Sequence, residues 1–425
     1  MTEQDQSATL RARPLNPSVQ LIETPMQLAA ANQTLAASSG PFAIDAERAS
    51  GFKYFQRAYL IQITRVNCPI YLIDPISILD GDPSAFDALS VTLASDEWIL
   101  HAATQDLPCL AEVGLKPTAL FDTELAGRLL GCSRVGLGAL CEDWLGITLA
   151  KEHSAVDWSQ RPLHDDWLNY AALDVDVLLD LRLAAISALD EAGKTEWAKQ
   201  DFERLLAFEP KPQKADKWRS MSGLHEVKDQ RSLAIAESMW VARDKLASKL
   251  DVSPGRLVPD LAIVAAAKEK PKSRSALAGF KAFNGRASRT YLDTWWQALT
   301  EGMEAIKLPE LRPALVGMPN HKNWPNRHPE AHARLQAARP EVVAIAEANQ
   351  LPVENLLQPD LLRQLCWQPP TEINEATVSA FLLDGGARKW QCDLVVQPVV
   401  EALLSAAAGP AVDVTAAEDP AVNKN

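Results

Sequence analysis

The stretch FAIDAERASGFKYFQRAYLIQIT, residues 42–64, contains two apolar runs separated by a short, more polar segment. Runs of this length and composition predict buried strands, and their closeness along the chain predicts that they pair as a hairpin. Asp45 and Glu47 are separated by one residue at the end of the first run, so on a strand both side chains point to the same face. Two carboxylates held this close repel each other unless a cation lies between them. The stretch therefore predicts a sheet with a cation site on one face.

Four other segments extend this sheet or cover it. Further strands are predicted over PIYLID (69–74), WILHA (98–102) and a short segment near LFDT (120–123), in addition to PFAIDA (41–46) and AYLIQIT (58–64). The first three strands follow closely and favour antiparallel pairing, whereas helix-length segments before the last two favour parallel crossovers. Sustained 3.6-residue periodicity over 165–193 predicts closing helices. The expected architecture is a mixed α/β, five-stranded sheet with helices.

Composition excludes several classes of protein. A chain of 425 residues with 47% hydrophobic residues predicts two or three globular domains. It has no apolar run of membrane-spanning length, and its N-terminus is polar, so we expect no membrane association and a cytoplasmic location. The six cysteines never form a C-x-x-C pair, which favours buried, reduced thiols over a zinc site or a disulfide framework.

The charge is unevenly distributed along the chain. The net charge is −13, yet residues 211–300 contain 17 Lys and Arg against 9 Asp and Glu, a local charge of +8. The remainder therefore carries −13 − 8 = −21. A basic module attached to an acidic one is typical of a nuclease whose acidic site is separate from its phosphate-binding surface, although many solvated helical domains are also mildly basic.

Beyond residue 218 the pattern is helical and contains an internal repeat. LASKLDVSPGRLVPDL, from Leu246, matches IAEANQLPVENLLQPDL, from Ile345, with one residue inserted. Two copies of a small helical domain explain this match, although a helix–loop–helix with a Pro-Asp helix start is common.

A cation held by oxygen ligands alone would be Mg²⁺ or Mn²⁺, and it needs more carboxylates than Asp45 and Glu47. Asp106 follows the strand WILHA and is a candidate ligand, but it could equally cap the next helix. Asp122, at the end of another strand, competes with it. Tyr170 and Asp174 stand at i and i+4, so on a helix they share a face. A phenol there could orient a metal-bound water, or it could simply be a buried tyrosine beside a surface acid.

Taken in order, these motifs resemble those of the DEDDy 3′→5′ exonucleases, and most closely the ribonuclease D family. The resemblance covers residues 19–206 and is carried by IDAERASGFKYFQRAYLIQIT, LHAATQDLPCL, FDTELAGRLLG and DWSQRPLHDDWLNYAALDVDVLLDL. AESMWVARDKLASKLDVSPGRLVPDL, which begins at residue 236, resembles the helicase-and-RNase-D C-terminal (HRDC) domain. The implied fold is an α/β RNase H-like exonuclease domain followed by two all-α HRDC-type helical domains.

The resemblance also implies an activity. Asp45, Glu47, Asp106 and Asp174 would be the ligands of two divalent metal ions, Mg²⁺ or Mn²⁺, and Tyr170 would position the attacking water. The enzyme would hydrolyse the 3′-terminal phosphodiester of RNA, release nucleoside 5′-monophosphates and act as a monomer on 3′ ends, typically of tRNA precursors. Arg48 departs from the family, whose members more usually carry an apolar or aromatic residue there. A cation there could touch the acid pair or a substrate phosphate, but we expect Arg48 to face solvent or to form a nearby salt bridge.

The expected domain boundaries follow from these segments. We expect a disordered lead (1–18), an exonuclease domain (19–206), a linker (207–217), an HRDC domain (218–300), a second HRDC-like helical domain (325–407) and a disordered tail (408–425).

Some residues outside the acidic cluster are candidates for RNA contact. Lys151, Trp158 and Arg161 could bind the RNA backbone or stack on a base, but Trp158 could equally be packed and Arg161 paired with a local acid. The basic run KEKPKSRS (268–275), with Lys281, Arg286 and Arg289, is the best candidate for phosphate contact in the HRDC domain. Such a run is more often simply solvated.

Two other functions remain open at this point. The same fold could act on DNA, or the chain could be a non-catalytic nucleic-acid-binding protein that retains the scaffold. The complete set of acids argues against the second.

Overall fold

The structure is a computed structural model that describes residues 8–150, 155–210, 216–312 and 317–408, with side chains described to residue 406. The chain forms two compact units. The first comprises Met1–Ala126, Arg134–Ala188 and Phe202–Ala314, and the second comprises Gly127–Ser133, Leu189–Asp201 and Leu315–Asn425. The units cut across the boundary expected near residue 206, and the domain limits drawn from the sequence stay predictions.

A mixed six-stranded sheet forms the core of the first unit. Eight strands occur in the described residues: β1 (Thr9–Arg11), β2 (Val19–Ile22), β3 (Phe42–Arg48), β4 (Ala58–Thr64), β5 (Ile70–Ile73), β6 (Trp98–Leu100), β7 (Leu120–Asp122) and β8 (Ile147–Leu149). The main sheet has the order β2-β5-β4-β3-β6-β7. Its β3-β4-β5 part is antiparallel and its β6 and β7 strands are parallel to β3. The mixed α/β class and both pairing modes are confirmed.

The expected number of strands was wrong by one. β2 pairs in parallel with β5 at the edge of the sheet, and two of its four residues are exposed. A half-exposed edge strand lacks the continuous apolar run that identifies a buried strand, so VQLI was missed. The disordered lead is also wrong for Thr9–Arg11, which pair in parallel with β8 in a separate two-stranded sheet. Residues 1–7 and 409–425 lie outside the described part of the chain.

Helices connect these strands and follow them along the chain. Their bounds are α1 (Pro25–Ala37), α2 (Pro75–Gly81), α3 (Asp87–Leu93), α4 (Leu107–Glu112), α5 (Thr123–Leu129), α6 (Leu137–Leu140), α7 (Asp165–Asp176), α8 (Leu178–Glu191) and α9 (Thr195–Leu206). The start of α1 is set by a capping box in which Thr24 and Gln27 each satisfy a backbone N–H of the other. Asp74 caps α2 through the N–H groups of Ile76 and Ser77.

The rest of the first unit is helical, as the pattern beyond residue 218 predicts. It contains α10 (Gln230–Leu250), α11 (Pro254–Leu257), α12 (Asp260–Glu269), α13 (Arg274–Ala278), α14 (Arg286–Thr290) and α15 (Leu292–Glu304). The long helices α10 and α15 pack together around a core that includes Met239, Ile263 and Trp295, each fully buried.

The C-terminal helices repeat this arrangement in the second unit. They are α16 (Trp324–Arg327), α17 (Pro329–Ala348), α18 (Val353–Leu356), α19 (Pro359–Trp367), α20 (Glu375–Asp384) and α21 (Lys389–Ala408). The order of a long, a one-turn and a medium helix in α10–α12 recurs in α17–α19. The one-turn helices end on the buried, sequence-matched residues Leu257 and Leu356. None of the described helices is long and apolar enough to cross a membrane.

Candidate active site

Two carboxylates of the candidate site lie on the central strand β3. β3 is hydrogen bonded to β4 on one side and to β6 on the other, so its backbone is held on both edges. Asp45 lies opposite Gln62 of β4, and Glu47 lies opposite Leu60. As the alternation of the strand predicts, both acids share one face. The register shifts by a bulge between Glu47 and Arg48.

The helix α7 supplies the third carboxylate. It packs against β3, β4 and β5, and it directs Asp174 toward the two acids of β3. One carboxylate oxygen from each of Asp45, Glu47 and Asp174 lies within 4.8 Å of the others. Tyr170 lies one turn earlier on the same face, close enough to Asp174 for its hydroxyl, against the larger effect of burial, to lower the pKa of that carboxyl group. Two segments about 120 residues apart in the chain therefore meet in one acidic cluster.

Asp106 joins this cluster from the start of α4. It occupies the position before the first residue of α4, yet its side chain makes no capping hydrogen bond there. It lies close enough to Asp45 that, besides burial, the negative charge of Asp45 raises its pKa, and its carboxylate is 3.5 Å from the guanidinium of Arg48 on β3. Of the two roles that the sequence left open for Asp106, the geometry favours membership of the acidic cluster.

Burial and mutual repulsion perturb all four acids. Asp106 and Asp174 are only 5% and 9% exposed. Burial, followed by the negative charge of Asp45, raises the pKa of both well above the usual range of an aspartate. Burial, followed by the charges of the three aspartates, does the same to the pKa of Glu47. Burial also raises the pKa of Asp45. Because the four negative charges repel one another, a bound cation would favour the ionised form of these acids.

Arg48 supplies one positive charge next to these acids. Its guanidinium lies 3.5 Å from a carboxylate oxygen of Asp106, and one of its nitrogens donates to the side-chain oxygen of Gln105 at 3.4 Å. Its positive charge lowers the pKa of Asp45, Glu47 and Asp106, against the larger effect of burial. The expected nearby salt bridge is therefore present, and its partner is a member of the acidic cluster.

The donor set fits a hard divalent cation. All four acids offer oxygen atoms only, which Mg²⁺ and Mn²⁺ prefer. In the described residues, Asp45, Glu47 and Asp174 form the one group of three or more acidic, histidine or cysteine side chains close enough to share an ion.

Two other polar residues near the sheet have structural roles. Asp122 accepts hydrogen bonds from the backbone N–H groups of Ala102 (3.2 Å), Ala103 (2.8 Å) and Leu125 (3.0 Å), and so fixes the loop after β6 and the start of α5. His101 contacts the hydroxyl of Thr123 at 2.9 Å, and burial lowers its pKa to about 4. Neither residue belongs to the acidic cluster.

Two of the three candidates for RNA contact near the site are already engaged within the protein. Trp158 is fully buried and packs against Trp167, so its ring is not presented for stacking on a base. Arg161 is paired with the buried carboxylate of Asp74, at 2.6 and 2.9 Å, and also donates to the carbonyl of Tyr59 at 2.8 Å. The structure thus agrees with the alternatives in which Trp158 is packed and Arg161 is paired with a local acid. Lys151 lies outside the described residues.

The connection that follows the acid pair is fastened to the first helical domain. Asp251, at the end of α10, accepts hydrogen bonds from the backbone N–H groups of Tyr54 (3.2 Å) and Phe55 (3.1 Å) and from the Tyr59 hydroxyl (3.4 Å). The Tyr54 hydroxyl donates to Asp244 at 3.1 Å. These polar contacts link the β3–β4 connection to α10 within one compact unit. They were missed in the sequence because a lone aspartate after a helix carries no signal for a distant partner.

Family models match three separate parts of the chain. A model described as a 3′-5′ exonuclease matches residues 19–185, the HRDC domain model matches residues 232–299, and a model of a 3′ to 5′ exonuclease C-terminal domain matches residues 317–403. The exonuclease and first HRDC expectations are confirmed. The last helical region is confirmed as helical, but its match is to an exonuclease C-terminal domain and not to HRDC.

Individual relatives agree with these matches. Ribonuclease D of Bartonella henselae is 28% identical over 267 residues, which are 61% of this chain and 64% of that protein. Ribonuclease D of Zymomonas mobilis subsp. mobilis is 30% identical over 278 residues, 63% of this chain and 69% of that protein. The chain thus spans just under and just over two thirds of these two relatives. A crystal structure of a protein from Bifidobacterium adolescentis superposes with a TM-score of 0.85 at 35% identity, over 93% of this chain and 100% of that one.

Proposed function

Because the chain belongs to the ribonuclease D family of 3′→5′ exonucleases, we propose that it is an exoribonuclease that removes nucleoside 5′-monophosphates from RNA 3′ ends, typically those of tRNA precursors. The observation that carries the proposal is the meeting of Asp45, Glu47 and Asp174, whose carboxylate oxygens lie within 4.8 Å of one another. Asp106 is close enough to this group that, besides burial, the charge of Asp45 raises its pKa. The monomeric state and cytoplasmic location expected from the sequence stay predictions.

The residues of the site have distinct proposed roles. Asp45, Glu47, Asp106 and Asp174 hold two divalent cations, because neutralising the charge of two ions needs several shared carboxylates. When bound, such ions lower the pKa of the attacking water and stabilise the departing 3′ oxygen. Tyr170 lies within hydrogen-bonding reach of Asp174 and orients the water from its protonated phenol, because burial and the nearby Asp174 and Glu47 charges raise its pKa.

The activity is tested by product analysis on defined substrates. The purified full chain is incubated with a 3′-extended tRNA, an unstructured RNA and a DNA of matched sequence, with Mn²⁺, with Mg²⁺ and with chelator. We expect nucleoside 5′-monophosphates from RNA in the presence of metal, and no product with chelator. Asp174→Asn and Asp45→Asn should abolish trimming, whereas Asp180→Asn, which changes an exposed acid of the neighbouring helix, should not. Trimming by Asp174→Asn at the rate of the unchanged protein would refute the proposal, and faster degradation of DNA would favour the DNA alternative.

The basic run of the HRDC domain provides a second test, which concerns RNA binding. Lys268 is paired with Glu226 at 2.6 Å, and Lys270 with Asp229 at 3.1 Å, so these two charges are largely neutralised. Arg274 is paired with Asp293. Within the basic run and the three cations that follow it, four exposed side chains have no salt bridge in the described residues: Lys272, Lys281, Arg286 and Arg289. We propose that these four contact RNA phosphates.

Two matched double variants separate the paired from the unpaired cations. Lys272→Glu with Lys281→Glu should weaken binding of an uncleaved RNA at all sequences. It should also reduce the slope of log affinity against log salt by about 0.7 for each lost phosphate contact. Lys268→Glu with Lys270→Glu is the matched control. Equal effects of the two pairs, or none, would leave the run as a solvated surface.

A further inference from the structure

Gln62 carries a buried side-chain amide. It lies in the middle of β4, is 0% exposed, and neither its Nε2 nor its Oε1 atom has a partner in the described part of the chain. Its neighbours along the strand, Ile61 and Ile63, are fully buried and apolar. A buried polar group without a hydrogen-bond partner destabilises the folded state. Packing alone therefore does not account for a glutamine at this position, because a methionine of similar size would fill it without that cost.

The register of the sheet places this amide beside the candidate active site. Gln62 lies directly opposite Asp45 on β3 and opposite Leu72 on β5. Residues directly opposite in an antiparallel pair share a face and have Cβ atoms about 4.5–5.5 Å apart. The helix α7, which carries Tyr170 and Asp174, packs over β3, β4 and β5. Gln62 is thus enclosed next to the acidic cluster, where it provides an uncharged amide.

Side chains that do not bind a metal themselves commonly form hydrogen bonds to the residues that do. A carboxylate that binds a cation through one oxygen is usually held by a hydrogen bond to the other, and removing such an outer partner typically lowers metal affinity about 10–100-fold. Asp45 is the carboxylate that β3 places directly across from the Gln62 amide. The Nε2 group is the neutral donor that can meet its free oxygen without adding charge to the cluster.

We propose that Gln62 is a positioning residue for Asp45: its amide N–H donates to the Asp45 carboxylate when the site holds a divalent cation, and so fixes the orientation of that ligand. The inference rests on the proposed function and assigns a role to a residue outside the four acids and Tyr170. It predicts that the amide lowers the stability of the fold in the absence of cation but strengthens cation binding.

The test measures these two effects separately in the full chain. Gln62→Met and Gln62→Leu are compared with the unchanged protein by urea unfolding in chelator and by calorimetric titration with Mn²⁺. We expect both variants to be at least as stable as the unchanged protein in chelator, because a buried unsatisfied amide has been removed. We expect their Mn²⁺ affinity to be 10–100-fold weaker. Methionine, the closer match in shape, keeps the test valid if leucine disturbs the packing.

Gln391 provides the matched control. It is also buried, at 2% exposure, but its amide donates to the Asn355 carbonyl at 2.6 Å and accepts from the Arg388 N–H at 2.8 Å. Gln391→Met should therefore show the opposite pattern, with lower stability and unchanged Mn²⁺ affinity. If the Mn²⁺ affinities of Gln62→Met and Gln62→Leu lie within about twofold of that of the unchanged protein, the role of Gln62 is overturned and the proposed function is not. An unchanged protein that binds no Mn²⁺ would overturn the proposed function as well.

Discussion

Replacement of Asp174 by asparagine should stabilise the protein without metal and destabilise it relative to the unchanged protein with metal. Asparagine keeps the size of the side chain and an oxygen that accepts from Tyr170, but it removes one negative charge from the acidic cluster. Oxygens of Asp45, Glu47 and Asp174 lie within 4.8 Å of one another. At an effective dielectric constant of about 20, two unit charges at that distance repel by about 3.5 kcal/mol.

The full repulsion is not realised because the cluster retains protons instead. The pKa values of Glu47, Asp106 and Asp174 are raised well above the usual range by burial and by neighbouring charges. We therefore expect a gain in the free energy of unfolding of about 1–3 kcal/mol for Asp174→Asn in chelator at pH 8, seen as a melting temperature higher by about 2–5 °C.

The pH dependence has a definite sign. A carboxyl group whose pKa is raised by folding binds more protons in the folded state than in the unfolded state. Stability of the unchanged protein in chelator should therefore fall as the pH rises from the ordinary range of carboxyl groups through the raised pKa values. The advantage of Asp174→Asn should be small at pH 5 and larger at pH 8.

Metal reverses the order of stability. A ligand present at 100 times its dissociation constant stabilises the folded state by about 2.7 kcal/mol, and Asp174→Asn lacks a carboxylate needed for that binding. Thermal unfolding with chelator and with Mn²⁺, at pH 5 and pH 8, measures all of these quantities. Asp180→Asn, an exposed acid at the start of α8, is the control and should be insensitive to metal. If Asp174→Asn is less stable than the unchanged protein in chelator at pH 8, the reasoning about repulsion is refuted.

Three further substitutions test the neighbours of the acids. Arg48→Gln removes the cation 3.5 Å from Asp106, so it should lower stability in chelator at pH 8 by about 1 kcal/mol and tighten Mn²⁺ binding in calorimetry; no change in either would contradict this. Tyr170→Phe should lower kcat about 100-fold in the RNA-trimming assay and leave Mn²⁺ affinity within about threefold. Arg161→Met leaves the buried Asp74 unpaired and should cost about 2–4 kcal/mol in urea unfolding, with unchanged RNA affinity. Burial alone would raise the pKa of Asp74, but Arg161 lowers it below its usual value, so this cost should disappear at low pH.

The sequence predicted the centre of the sheet better than its edges. The strand over 58–64 has the predicted bounds, because β4 is buried along its whole length and most of its residues are apolar. β2 was missed because an edge strand needs only one buried face. Internal repetition was equally readable, because Leu257 and Leu356 are both buried at the end of equivalent one-turn helices.

Local spacing predicted pairs of site residues but not how the pairs meet. Alternation on β3 places Asp45 with Glu47, and helical periodicity on α7 places Tyr170 with Asp174. The packing of α7 onto β3 is a tertiary contact, and only the resemblance to a known family predicted it. Asp106 illustrates the same limit. An aspartate before a helix is expected to cap it, and only the three-dimensional position of Asp106 near Asp45 and Arg48 indicates another role.

Arg48 shows why the remaining detail of the site is hidden from the sequence. Along a regular strand it would point away from the face that carries Asp45 and Glu47, which is why solvent was a reasonable expectation. The irregularity in the pairing does not alter this, because its extra residue lies on β4: Glu47 is opposite Leu60 and Arg48 is opposite Ala58, so that Tyr59 has no partner on β3. Arg48 nevertheless places its guanidinium 3.5 Å from a carboxylate oxygen of Asp106, which lies beyond β6. A long arginine side chain at the end of a strand can extend to a charge on a neighbouring segment, and no local spacing in the sequence records such a contact.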